Sequence, residues 1–420
     1  MVEHKGTILF LSDSPLTTTG FSTQSHGLAN RLSDKGWRIH YMAHNYMGQR
    51  LPPNGFKLMD GTTNNYFLYG VGRAPYCQDL ITPFIKEIKP DVFYVLLDTF
   101  MLYPWYLNLD TSPAKTTWWY PSDGGGGLPK GCEQIIARVN LPVAMAKFGQ
   151  KQVKDYYGLN TEYIPHAVDE KLFSRMNDDE RNKTRANWGF TDKFVVGAVY
   201  RNQPRKFADR MFKAFARFSK GKEDVVLFCH TDPSDNAASF DTFALVKKLK
   251  IENKVVFSGL KYYDSFTYEK LREVYNLMDV YISSTSGEGF GIPIVEAMAC
   301  EVPIVMPSYT TGDELVRHHN SGEVVKCVGI DDVDFNSMSA IEYDGVVENG
   351  VLLGGWEVDR AVMDINDCAS KLDKLYLDWK AGGLLLKEYG KNGRKAAMEN
   401  YTWEIIAESW NQKLSELVNK

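Results

Sequence analysis

Apolar runs and helical periodicities alternate along this chain. Short runs rich in β-branched and aromatic residues stand at 7–12, 38–43, 67–69, 91–97, 116–120 and 142–146. They return at 194–200, 224–229, 254–257, 280–283 and 302–306. Between them, stretches such as 23–35, 77–88, 134–139, 149–157, 237–249 and 268–278 carry apolar residues at helical spacing. Strands apolar along their whole length are buried on both faces, and strands separated by helices form parallel sheets. The pattern predicts an α/β protein with two successive β/α series. Its length of 420 residues suits two domains. The polar stretch 174–193, with Asn177-Asp178-Asp179-Glu180, breaks the alternation and sets the boundary near residue 185. Further helices are expected at 364–379 and 382–400, and Thr402-Trp403 caps a last one running to about Val418.

The densest stretch is 283–305. An apolar strand runs into a loop holding Gly287, Gly289 and Gly291, and Pro293 then stands at the start of a helix over 292–300. A strand, a glycine loop and a helix N-terminus make an anion site, because free N–H groups and the positive end of the dipole converge there. Glu288 in the loop and Glu296, expected in the first helical turn, frame that place. Carboxylates would repel a phosphate, so they fit hydroxyl groups of a sugar or ribose. Taken singly, Glu288 reads as a solvated loop residue and Glu296 as a favourable helix-start charge. As a pair in this frame they read as functional.

A second half-site opens the second series. The strand at 194–200 ends in Arg201-Asn202-Gln203-Pro204-Arg205-Lys206 and feeds a helix reaching Phe218. On that helix Lys206, Arg210, Lys213, Arg217 and Lys220 form a basic stripe, and Phe207, Met211, Phe215 and Phe218 an apolar one. The apolar stripe reads as core. The basic stripe reads as a solvated face, with an anionic membrane surface as the alternative. Two other strands of this series end at His230 and at Ser258-Gly259. In the first series, the strand at 7–12 leads through a Ser/Thr/Pro loop to Gly20-Phe21 and a helix. The dinucleotide fingerprint of three spaced glycines is missing, which argues against a nicotinamide cofactor. Asp123 precedes Gly124–Gly127 directly after the strand at 116–120, where α/β proteins bind ligands. The glycine run reads as a mobile loop, and Asp123 either as a functional carboxylate or as the start of an Asx turn. Asp332-Val333-Asp334 has metal-motif spacing but no preceding buried strand, so no protein-bound metal is expected.

Composition narrows the options. A net charge of −5 argues against a nucleic-acid partner without excluding one. Six scattered cysteines with no C-x-x-C pair read as reduced, buried thiols. With no apolar leader and no run long enough to cross a bilayer, the expectation is a cytoplasmic protein, the basic stripe leaving peripheral membrane contact open.

These pieces together resemble the retaining GT-B glycosyltransferases of family 4, the glycosyl transferases group 1. Glu288 to Ala299 matches that family's Glu-x7-Glu signature in its Glu-Gly-Phe-Gly-x-Pro-x-x-Glu-Ala-Met-Ala form. Tyr163 to Phe173 is similar to its I-P-N-G-V-D-x-x-x-F run, with His166 and Ala167 replacing Asn and Gly. Arg201 and Lys206 fall at its phosphate-binding pair. Phe207 stands where a glycine is usual, so Arg205 shares that role, and Asp123 stands where some members carry a sugar-contacting histidine. Glu314 and the closing Tyr401-Thr402-Trp403 also fit.

The resemblance implies two Rossmann-like domains: 1–185 on the acceptor side, 186–400 binding the nucleotide sugar, and 401–420 as a helix returning to the first domain. It implies transfer, with retention, of a hexose from a UDP- or GDP-linked donor such as UDP-glucose or GDP-mannose to a hydroxyl of a glycan or lipid-linked saccharide. The implied catalytic set is Arg201, Lys206, Glu288 and Asp123. The implied donor-binding set is Gly20, Phe21, Arg201, Arg205, Lys206, His230, Gly259, Glu288, Gly289, Phe290, Gly291, Ile292 and Glu296, with the helix dipole in place of a metal and no cofactor beyond the sugar nucleotide. An epimerase or phosphorylase on the same fold, and a non-catalytic sugar-nucleotide-binding subunit, are the alternatives.

Overall fold

A computed structural model describes residues 4–58, 61–259, 267–328, 346–348, 351–353 and 358–419. The chain divides into two compact units. The first comprises Met1–Ser122, Gly127–Ala167 and Thr402–Lys420, and the second Asp123–Gly126 and Val168–Tyr401.

In the first unit the order is β1 (Gly6–Ser12), α1 (Gly20–Asp34), β2 (Trp37–Ala43), β3 (Phe67–Tyr69), α2 (Gln78–Ile88), β4 (Val92–Val95), α3 (Thr99–Leu102), β5 (Lys115–Tyr120), α4 (Cys132–Arg138), β6 (Leu141–Ala144), α5 (Lys147–Tyr157) and β7 (Glu162–Tyr163). The strands pair in parallel as β3-β2-β1-β4-β5-β6-β7. Leu9, Leu11, Phe93, Val95, Trp118 and Tyr120 fill a core against α2 and α4. The Tyr163–Phe173 run leaves this unit at Ala167, whose N–H and carbonyl are both bonded, at 2.8 Å each, by the buried side-chain amide of Gln24.

The second unit contains α6 (Asp178–Asn187), β8 (Phe194–Val199), α7 (Ala208–Phe218), β9 (Val225–His230), α8 (Thr242–Lys248), β10 (Val255–Phe257), α9 (Tyr268–Leu277), β11 (Val280–Ile282), α10 (Ile292–Ala299), β12 (Ile304–Pro307) and β13 (Gly322–Val325). After these come β14 (Val346–Glu348), β15 (Val351–Leu353), β16 (Arg360–Ala361), α11 (Ile365–Lys380) and α12 (Leu384–Asn400). Its parallel sheet has the order β10-β9-β8-β11-β12-β13, and β14-β15-β16 form a small antiparallel sheet. In a doubly wound sheet the chain turns off in opposite directions on either side of the switch strands, which opens a crevice at their carboxyl ends. Here those strands are β8 and β11.

α13 (Trp403–Asn419) belongs to the first unit. Trp410 meets Trp119 and Tyr94 edge-on at 5.3 and 5.2 Å, and Asn411 Oδ1 accepts from Lys5 Nζ and Trp37 Nε1. Gly27 of α1 lies against the Trp403 indole, where a Cβ would come within 2.3 Å of the ring.

Three expectations are corrected. The polar stretch around residue 185 is not where the units part. Arg181 and Arg185 of α6 both pair with Asp279, and their guanidiniums also bond carbonyls of residues 276–278, so this polar helix is anchored to the second unit. The basic stripe of α7 is only in part a solvated face: Arg217 and Lys220 are exposed, but the stripe is not uniformly so. Arg210 is buried and gives two bonds to the Met363 carbonyl, Lys213 pairs with Asp209, and Arg217 bonds Asn366 of α11. The apolar stripe is core, joined by Phe212. Nor are the glycines at 124 and 126 there for mobility. A Cβ at Gly124 would meet Val358 at 2.6 Å and one at Gly126 would meet the Asp359 carboxylate at 2.3 Å, and Gly125 and Asp359 exchange backbone hydrogen bonds. Glycine is required by close approach. All six cysteines are unpaired and five are buried. Asp332 and Asp334 lie outside the described residues. Among the described residues no group of three or more metal-ligating side chains converges, and no helix is long and apolar enough to cross a membrane.

Candidate functional site

The carboxyl ends of β8 and β11 open on a pocket lined by Val199, Tyr200, Lys206, Tyr281, Ser284 and Glu288 among others. Two backbone segments meet there. One is the turn Pro204–Lys206, which ends in Phe207 at φ 44, a left-handed conformation that side chains seldom adopt and glycine adopts freely. The position where the resemblance expects glycine thus keeps the glycine-like backbone, and burial of the phenyl ring holds it. The other segment is the loop 283–291. It is tied to the turn by Ser286 N–H to the Arg205 carbonyl at 2.8 Å and by Ser284 Oγ to the Lys206 carbonyl at 2.9 Å. Gly291, at φ 101, caps α10, and Pro293 is its second residue.

This stitching brings Arg205, Lys206 and Glu288 together. Lys206 Nζ lies 2.5 Å from Glu288 Oε1, and Arg205 Nη1 lies 3.1 Å from Oε2 while also bonding the Gly287 carbonyl. The Glu288 N–H donates to Thr310 Oγ1 at 3.0 Å. Glu288 is only 8% exposed, so it is not a solvated loop residue. Burial works to raise its pKa, but the Lys206 and Arg205 charges and hydrogen bonds outweigh it and hold the carboxyl down at about 2.

Glu296 stands in the second turn of α10, not the first, and is buried. Its Oε2 accepts the Tyr275 hydroxyl at 2.5 Å. Desolvation raises it to about 7, with the tyrosine hydrogen bond opposing. One loop and helix therefore carry a fixed anion and a carboxyl poised near neutrality.

Asp123 joins this cluster from the four residues that belong to the second unit. Its Oδ2 lies 3.3 Å from Arg205 Nε and its Oδ1 3.1 Å from Arg360 Nη2, and Arg360 Nη1 donates to its carbonyl at 2.6 Å. The carboxylate serves two guanidiniums in place of an Asx turn. Gly287 is needed here, since a Cβ would strike the Asp123 carbonyl oxygen at 1.9 Å.

Of the other expected residues, some lie apart and some flank Glu288 on its own loop and helix. Arg201 points to the buried Asp235 at 3.0 Å and is 44% exposed, so it is not in the Glu288 cluster. His230 ends β9 with its imidazole brought down to about 4 by burial, and it is neutral near pH 7. Gly259 follows β10 at the surface with φ 78. Gly289 is half-buried and Ile292 opens α10, while Phe290 turns inward onto Tyr401. Gly20 and Phe21 belong to the first unit, in the first turn of α1 behind its Thr19 cap. Sequence reasoning missed Tyr275, Thr310 and Arg360. Tyr275 and Arg360 are far from the signature in sequence, and Thr310 carries no periodic signal.

Residues 180–336 match the family described as glycosyl transferases group 1. The mannosylfructose-phosphate synthase of Agrobacterium fabrum is 28% identical over 185 residues, 42% of this chain and 38% of the relative. The D-inositol 3-phosphate glycosyltransferase of Geodermatophilus obscurus is 28% identical over 211 residues, 49% of this chain and 46% of the relative. The chain thus spans less than half the length of these curated relatives. Among solved structures, the sucrose-phosphate synthase of Thermosynechococcus elongatus superposes with a TM-score of 0.72 at 16% identity, covering 98% of this chain and 99% of that one. Anabaena HepE, solved with UDP and glucose, gives 0.67 at 15% identity, covering 98% and 100%. Two Rossmann-like parallel-sheet units of this kind are the GT-B fold, and residues 180–336, in the second unit, carry the match to the glycosyl transferases group 1.

Proposed function

We propose that this protein is a retaining glycosyltransferase that moves a hexose from a UDP- or GDP-linked sugar to a hydroxyl acceptor such as a glycan or lipid-linked saccharide. The observation that carries this reading is the clustering of Arg205, Lys206 and Glu288 with the α10 N-terminus and the buried Glu296 at the switch point of the second sheet. Cations and a helix N-terminus suit a diphosphate, and carboxylates suit sugar hydroxyls. Its family supports a sugar nucleotide as donor, and one structural neighbour holds UDP and glucose.

In the reaction the bond between the anomeric carbon and the phosphate oxygen breaks, and the acceptor oxygen bonds that carbon on the same face. The acceptor proton passes to a β-phosphate oxygen. Negative charge grows on the leaving diphosphate, where Lys206, Arg205 and the amides of Gly289–Gly291 stabilise it. Fixed donors of this kind contribute a few kcal/mol each, roughly 10²-fold or more in rate. Glu288, fully ionised, orients donor-sugar hydroxyls, and Glu296 holds the ribose. No metal and no protein nucleophile is assigned a role. The soluble chain, assayed with UDP- and GDP-sugars by thermal shift, should gain stability. A ligand at a hundred times its dissociation constant adds about 2.7 kcal/mol. Loss of that gain in Glu296→Ala and Lys206→Ala is expected, and wild-type transfer by either variant would overturn the assignment.

A further inference from the structure

Charges alternate along a line in the second unit: Lys206, Glu288, Arg205, Asp123, Arg360. The end of that line is unusual. Arg360 enters from β16, outside the glycine loop and the turn that build the pocket, and its side chain is only 6% exposed. A guanidinium so withdrawn from water needs an anion. Its anionic partner among the described residues, Asp123, is 29% exposed, with one oxygen on each arginine. The seat is rigid on both sides: Ala361 N–H bonds the Ser286 carbonyl at 3.0 Å, and Tyr309 Oη accepts the Gly125 N–H at 2.7 Å and donates to the Asp359 carbonyl at 2.8 Å. Two guanidiniums spaced to grip separate oxygens of one group recognise phosphate as well as carboxylate.

We infer that Arg205 and Arg360 form a two-arginine seat for one phosphate group of a ligand, and that the Asp123 carboxylate occupies this seat in the ligand-free protein. The inference rests on the glycosyltransferase reading only for the ligand's identity. An entering phosphate brings more charge and a third oxygen, and it displaces Asp123 toward solvent. The shared chemistry is a phosphate ester or anhydride, from the donor diphosphate or from a phosphorylated acceptor.

Calorimetric titration of the whole protein with pyrophosphate tests the seat. Asp123→Asn, which removes the competing charge and keeps the shape, should bind about five- to tenfold tighter than wild type. Arg360→Ala should bind at least tenfold weaker, and Arg360→Lys, which keeps charge without the fork, should fall between. Equal affinity in wild type and Asp123→Asn, or in wild type and a folded Arg360→Ala, overturns the seat. Should Arg360→Ala not fold, the Asp123→Asn and Arg360→Lys arms decide it alone. Repeating the titrations with UDP and with glucose 6-phosphate separates the sources. An Arg360 effect on UDP assigns the seat to the donor, one on glucose 6-phosphate to the acceptor, and an effect on neither overturns it. Loss of sugar-nucleotide binding in Glu296→Ala with no Arg360 effect would sink the seat and leave the proposed function standing. A pyrophosphate effect without sugar-nucleotide binding would do the reverse.

Discussion

Glu288 and Glu296 lie two turns apart on one loop and helix, both are buried, and their chemistry is opposite. Glu288 is surrounded by cations and stays ionised down to about pH 2, whereas Glu296 meets one phenol and titrates at about 7. Burial depth does not distinguish them. What differs is whether a second chain segment supplies positive charge, and only the turn Pro204–Lys206 does. Paired glutamates in a signature are therefore not one kind of group: one is a fixed anion, the other a hydrogen-bonding group whose charge follows pH.

The largest break in this contrast is expected from Lys206→Ala. It should lower kcat/KM for transfer by about 10²- to 10³-fold, because it removes both a diphosphate contact and the charge that fixes Glu288. Steady-state kinetics on a folded variant measures this. A rise in KM alone, with kcat unchanged, would show that Lys206 only binds.

The two glutamine variants should then differ in sign. Glu288 has a folded pKa below its unfolded 4.5, so its contribution is present above 4.5 and lost as pH falls to about 2. The shift corresponds to about 3 kcal/mol, and Glu288→Gln should flatten wild-type stability over that window. Glu296 has a folded pKa above 4.5, so its contribution is present at low pH and lost as pH rises from 4.5 to about 7, again by about 3 kcal/mol. Denaturant midpoints across pH 2–8 read both, and matching slopes in the two variants would remove the contrast. If Glu296 holds ribose as a carboxylate, donor KM should also fall as pH rises through 7 in wild type and stay level in Glu296→Gln.

Tyr275→Phe is the smallest and sharpest test. The lost hydroxyl favoured the ionised form, so Glu296 should titrate still higher and the KM transition should move to higher pH. The cost in stability should be about 1 kcal/mol. An unmoved transition would place the titrating group elsewhere.

Much of this was legible in the chain. The apolar runs foretold both parallel sheets, and the glycine loop with its glutamates and the run 201–206 foretold the elements that meet at the switch point, although of the expected pair Arg201 turns to Asp235 and it is Arg205 that joins Lys206 at Glu288. What escaped is long-range. Nothing in the periodicity of α7 says that Arg210 is buried, because its partner is a carbonyl some 150 positions later. Asp123 and its glycines read as a mobile loop because composition reports freedom and not the neighbours at Val358 and Asp359 that make any side chain too large. Arg360 has no periodic pattern around it in the sequence.

The final helix has a consequence for how the chain can be divided. Trp410 and Asn411 close over Trp119, Tyr94 and Trp37, whose own segments end at Ala167 in sequence. A polypeptide stopped at that point would present bare aromatic surface and aggregate. Supplied in trans, a peptide spanning residues 402–420 should complement it, so that the last helix of the chain is what the other end needs in order to stand alone.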